Sequence, residues 1–337
     1  MLELIPLGLY QEGQVKFFRR DFLKKGFLGF FGISVFAGVI MQALNKVKIN
    51  RKKIQLSYAV DQKHWVGDGF NVHGLLRPSE KINRYISPFI LMDYASPKEF
   101  SKTTQRRGVG EHPHRGFETV TFAYQGEVEH RDSAGGGGVI KPGGVQWMTA
   151  GRGIVHDEFH SNQFSKDGGV FEMVQLWVNL PKKDKMTKPK YQAIEDKQVP
   201  QVKLGDETQL RIIAGEFAGK QGPASTFTPI NIYDITSRNG ADISLHFKEG
   251  SNTIILIMSG EIELEHKKFK KQNVLIFEQE GEDITFKVSG NFKGLILNGE
   301  PIDEPIVAHG PFVMNTQQEI IEAIEDFKNG KMGLLKR

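Results

Sequence analysis

From residue 55 to residue 300 the chain is cut into short apolar segments by Gly, Pro, Asn and Asp, and that spacing constrains the fold more than any other feature. Glu118–Tyr124, Gly169–Leu180, Asn231–Thr236, Asp242–Phe247, Thr253–Met258, Glu261–Glu265 and Asn273–Phe277 all read as strands. Such a series predicts an all-β architecture of the β-sandwich or jelly-roll kind. Its many tight turns suit the 37 glycines, and phenylalanine (24) outnumbers tyrosine (7) and tryptophan (3) together. The polar, turn-rich stretch Pro181–Pro189 is the expected link between two β domains, over 59–185 and 200–337. One helix is expected at 316–328. Thr316 and Glu319 form a capping box, Ile320, Ile321, Ile324 and Phe327 form an apolar stripe, and Gly330 follows the end. The stripe is expected to pack on a barrel rather than bind a partner.

A length of 337 residues suits two domains of ordinary size, and 39% hydrophobic residues suffice for packed cores, which excludes a wholly disordered chain. Net charge is +4, from 44 Lys+Arg against 40 Asp+Glu, so nucleic acid is not expected as a partner. There is no cysteine. Disulfides, thiolate-held metals and thiol nucleophiles are thereby excluded, and any metal must rest on His, Asp or Glu.

The first 45 residues read as a signal or anchor. Lys16, Arg19, Arg20, Lys24 and Lys25 precede an uncharged apolar run from Gly26 to Asn45. Phe18–Lys24 resembles the twin-arginine export motif, with Phe18 where Ser or Thr is usual. The expected partners are the twin-arginine export machinery and, if the helix stays uncleaved, the membrane. The expected location is the periplasm, or the inner membrane facing it. Residues 46–58, with Lys46, Lys48, Arg51, Lys52 and Lys53, read as a solvated basic linker.

Two short segments carry the chemistry. In a strand, residues i and i+2 project to one face, so His112 and His114 point together, as do His156 and Glu158. If the two segments lie on neighbouring strands, three imidazoles and a carboxylate converge. That donor set suits Fe(II), Mn(II), Ni(II), Co(II) or Cu(II) and leaves two positions open on a six-coordinate ion. His246, His266 and His309 stand alone, so no second metal is expected. His130 and His160 read as ordinary hydrogen-bonding histidines near the barrel mouth. Gly135–Gly138 lacks a following Lys-Ser/Thr and reads as a hairpin turn, not a phosphate loop. No Gly-x-Ser-x-Gly elbow occurs.

The runs His112–Val120 and Gln146–His156 resemble the signatures of the pirin family within the cupin superfamily, and Ile213–Glu216, Gly222–Ala224 and Gly310–Thr316 agree. The resemblance spans about 60–335. It implies a bicupin, two β-barrels face to face, with iron(II) in the first barrel on His112, His114, His156 and Glu158. The general cupin pattern would instead draw its carboxylate from Glu118. That residue, at an even offset from His114, is expected to point inward behind the ligands, and Arg115 and Gln146 are candidates for orienting them.

Some pirins resemble flavonol dioxygenases of the quercetin 2,3-dioxygenase type. That resemblance implies an aromatic small-molecule substrate and O2, Glu158 as catalytic base toward the 3-hydroxyl, and ring opening with loss of carbon monoxide. The alternative is a non-enzymatic iron- or redox-sensing binding protein of the cell envelope, and a storage cupin with a vestigial site is disfavoured by the intact donor set.

Overall fold

The computed structural model describes residues 50–79 and 81–335. The twin-arginine motif and the apolar run after it lie outside the described residues, so export, anchoring and membrane association remain expectations. Among the described residues no helix is long and apolar enough to cross a membrane.

Three sheets make up the body. A seven-stranded antiparallel sheet runs in the order Lys190–Ile194, Val145–Thr149, Phe117–Gln125, Gly169–Asn179, Phe89–Phe100, Phe70–Leu76, Lys63–Val66. A four-stranded sheet, hereafter the site sheet, runs Gly108–His114, Ile154–His160, Val128–Asp132, Gly137–Ile140. A nine-stranded sheet forms the second half of the molecule. Its two longest strands, Ile230–His246 and Asp283–Gly299, pair along their whole length. The segments Asn231–Thr236 and Asp242–Phe247, expected as separate strands, thus belong to one element that continues through Gly240 at φ 86°.

Strand alternation sorts the seven-stranded sheet into two faces. Val120, Phe122, Val145, Trp147, Val174 and Leu176 pack against Ile232, Ile254, Leu256, Val274, Leu295 and Leu297 of the nine-stranded sheet, so the two large sheets lie face to face in one core. Each such buried side chain contributes about 1.5–3 kcal/mol, enough to hold the halves together as one body. On the other face Phe70, Ala95, Ala123, Phe171 and Met173 meet Val128 and Ile140 of the site sheet. Thr121, Gln146 and Gln175 occupy that same face by alternation, and the candidate centre lies there.

The link between halves differs from the expected one. Residues 190–194 still pair with Val145–Thr149 of the first half, and the crossing to the second sheet falls between Ile194 and Gln201. The segment 46–58 is not a free linker where it is described. Ile54–Ala59 pairs with Asn273–Phe277 as an edge strand, and Lys52 is buried with its ammonium donating to the carbonyls of Ser251 (2.8 Å), Glu278 (3.1 Å) and Gln279 (2.9 Å).

The helix Gln317–Lys328 has its expected cap, with Thr316 accepting from Glu319 N and the Glu319 carboxylate accepting from Thr316 N. Its buried face differs. Ile320 and Ala323, with Ile324 beside them, pack on Val155, Phe312, Met314 and Met332, whereas Ile321 and Phe327 face solvent. The stripe is therefore narrower and rotated toward Ala323, and it rests on the site sheet of the first half.

Candidate metal centre

The site sheet brings the two sequence segments together by register. His156 lies opposite His112, and on its other side opposite Asp132, while Glu158 lies opposite His130. A bulge on the Gly108–His114 side separates the His156 and Glu158 positions. The imidazole centroids of His112 and His156 are 4.2 Å apart, and those of His114 lie 4.9 Å from each. Ligand atoms of His112, His114 and His156 fall within 4.8 Å of one another. The Glu158 carboxylate falls within the same spacing of His156 and His130, and is not grouped with His112 and His114.

The hydrogen bonds show which nitrogens are committed. His112 Nδ1 lies 2.8 Å from Gly110 O and His114 Nδ1 lies 3.2 Å from Pro311 O. A carbonyl only accepts, so each Nδ1 carries the proton and each Nε2 presents its lone pair. His156 Nε2 is buried and has no hydrogen-bond partner among the described residues. An orphaned, fully buried nitrogen is costly unless something occupies its lone pair, and a cation meets that need. Burial foremost, and then the neighbouring imidazoles, push His114 and His156 well below the ordinary imidazole range, so both rings are neutral at physiological pH, the state in which an imidazole can bind a cation. These residues fit a divalent ion.

Glu158 is held from three sides. Its Oε1 accepts from Gln146 Nε2 (2.5 Å) and Thr121 Oγ1 (3.2 Å), and its Oε2 accepts from Gln175 Nε2 (2.8 Å). Together these donors fix the orientation of the carboxylate. Of the two candidates for orienting the site, Gln146 contacts a candidate ligand directly. Thr121 and Gln175 were missed, because they reach Glu158 from the opposite sheet and no local spacing signals that approach. Trp177 and Phe117 pack beside His114, at 5.2 and 5.0 Å between centroids, and give the site an aromatic wall.

Arg115 does not face the centre. It donates to Arg152 O (2.7 Å) and to Asp326 Oδ2 (2.9 Å), tying the C-terminal helix to the site sheet. Glu118 is corrected too. Gly116, at φ 88° and with Val313 O where a Cβ would sit, ends the strand that carries His114. Glu118 lies on a new strand in another sheet, so the even offset from His114 has no meaning there. It stands on the face of Val120 and Phe122, opposite Thr121, and accepts from Thr149 Oγ1 (2.7 Å).

His130 is no ordinary histidine. It is fully buried, stacks on Tyr191 (4.9 Å, 10°), and contacts both His156 and Asp132. His160 is an aromatic-core residue whose Nε2 lies 2.9 Å from Gly69 O. His246, His266 and His309 belong to no metal-sized cluster among the described residues. The C-terminal segment nonetheless reaches the centre, through Pro311 O on His114.

Both halves of the chain match known proteins. Residues 70–178 match the pirin family model, and residues 232–333 match the model for the pirin C-terminal cupin domain. A crystal structure described as quercetin 2,3-dioxygenase from Acinetobacter baumannii superposes with a TM-score of 0.81 at 50% identity, covering 84% of this chain and 98% of that one. A Pseudomonas aeruginosa protein named as a candidate quercetin 2,3-dioxygenase is 46% identical, covering 83% of this chain and 98% of its own length. A pirin-like protein of Solanum lycopersicum is 38% identical over 79% of this chain and 88% of its own. With both halves matched and the His/Glu cluster in place, the chain belongs to the pirin family, built from two cupin domains.

Proposed function

We propose that this protein is a metal-dependent dioxygenase that opens a flavonol-like substrate with O2, with iron(II) as its metal. The observation that carries the reading is the orphaned His156 Nε2 facing two further imidazoles whose Nε2 atoms are likewise bare. The names of relatives at 46–50% identity support the reaction class. His112, His114, His156 and Glu158 are the residues that would hold the ion, and an all-N/O donor set suits iron(II), with Mn(II), Ni(II), Co(II) and Cu(II) compatible. The ion would supply Lewis acidity toward the 3-hydroxyl and one-electron chemistry toward O2.

The chain's own residues do the rest. Gln146 and Thr121 anchor Glu158 Oε1, leaving Oε2, with its single donor Gln175, as the atom that takes the 3-hydroxyl proton. The rings of Phe117 and Trp177 exclude water beside His114. The export motif at Phe18–Lys24 motivates a periplasmic location, and Arg19→Lys with Arg20→Lys should hold a reporter fusion in the cytoplasm. Unimpeded export would remove that part of the reading.

The test of function is O2 uptake by Fe(II)-loaded protein with quercetin. Uptake matched by quercetin loss, and abolished in His114→Ala, is expected. No uptake from protein that still holds iron would favour an iron- or redox-sensing binding role.

A further inference from the structure

The Nδ1 protons of His112 and His114 are fixed by backbone carbonyls. Among the described residues His156 has no such carbonyl. Its Nδ1 lies 3.3 Å from His130 Nδ1, and His130 Nε2 lies 3.2 Å from Asp132 Oδ2. Both rings are fully buried, so water does not arbitrate between tautomers. Asp132 is itself held, since its Oδ1 accepts from the backbone N–H groups of Ala134 (2.8 Å) and Gly136 (2.9 Å) in the glycine-rich turn.

We propose that Asp132 and His130 form a one-way hydrogen-bond chain that sets the tautomer of His156 and aims its Nε2 lone pair at the metal position. The direction follows from donor capacity. An ionised carboxylate only accepts, so His130 carries its proton on Nε2. Its Nδ1 is then an acceptor, and the nitrogen facing it, His156 Nδ1, must carry the proton. His156 Nε2 is left bare, which accounts for its lack of a partner. With His130 so fixed, the other tautomer of His156 would set two lone pairs against each other at Nδ1 and bury an unsatisfied N–H at Nε2. His130 is on this reasoning a positioning residue, and His130, His156 and Glu158 are not a second metal site. The glycine run Gly135–Gly138 gains a purpose, as the turn whose N–H groups orient Asp132.

This inference rests on the metal-centre reading for its purpose, but its first test needs no metal. Long-range 1H–15N NMR of histidine-labelled, metal-free protein should show His156 as the Nδ1–H tautomer, assigned by its loss in His156→Gln. Asp132→Asn is the decisive variant. Its amide oxygen keeps the turn N–H bonds, its NH2 faces His130, and the whole chain reverses to put the His156 proton on Nε2. Co(II) affinity should fall about 10–100-fold, the range for lost support behind a ligand. If Asp132→Asn fails to fold, His130→Phe keeps the ring on Tyr191 and removes both nitrogens. It should also release the fixed tautomer and weaken Co(II) binding, while His130→Gln, which carries donor and acceptor in the same order, should restore both. An unchanged His156 tautomer and Co(II) affinity in Asp132→Asn or in His130→Phe would overturn the proposal. A wild-type protein that shows the Nδ1–H tautomer but binds no Co(II) would instead overturn the metal-centre reading.

Discussion

Glu118 makes the sharpest test of how burial acts in this molecule. It is 1% exposed, and burial, opposed by the Thr149 hydroxyl, pushes its carboxyl up from 4.5 to about 7. Between these values the unfolded chain has released the proton and the folded chain has kept it. Stability therefore falls as pH rises from 4.5 to about 7 and stays low above that. The full loss is about 3 kcal/mol from the size of that displacement. Glu118→Gln keeps the acceptor for Thr149 and the shape of the protonated acid, and it cannot ionise. Urea unfolding of metal-free wild type and variant should thus give nearly equal stabilities at pH 4.5 and a variant more stable by about 2–3 kcal/mol at pH 8. A difference between the two proteins that does not change with pH would refute the assignment of Glu118 as a buried, proton-retaining acid.

Other outcomes follow from the same contacts. Gln146→Leu removes the closest donor on Glu158 and should weaken Co(II) binding about 10-fold in a direct titration, with little change in unfolding midpoint. Lys185 is buried, with Nζ on Gly116 O, Asn179 Oδ1 and Val313 O, so Lys185→Met strands three neutral acceptors and should cost about 2–3 kcal/mol by denaturant unfolding. Thr316→Ala removes the helix cap and should cost about 1 kcal/mol by the same measurement.

Much of the site was legible because a strand's period is local. His112 with His114, and His156 with Glu158, needed only the i, i+2 rule and two adjacent strands. What the sequence hid depended on contacts between elements. Thr121 and Gln175 reach Glu158 across the gap between two sheets. His130 gains its role only because its strand pairs beside Ile154–His160, placing it opposite Glu158. Glu118 misled because Gly116 breaks the strand and resets the alternation. The fold shows the same division. Strand positions such as Asn273–Phe277 were readable from composition. The pairing of Ile54–Ala59 with the second half, the burial of Lys52 and the rotation of the C-terminal helix onto Ala323 came from packing against distant partners.

If the imidazole cluster with Glu158 is a metal centre, the purified protein carries metal that depends on these side chains. Elemental analysis of wild type beside His112→Ala and His156→Ala measures that dependence. About one metal ion per chain is expected in the wild type, with most of it lost in both variants. Wild type with only trace metal after incubation with Fe(II), or variants that keep the wild-type content, would contradict it.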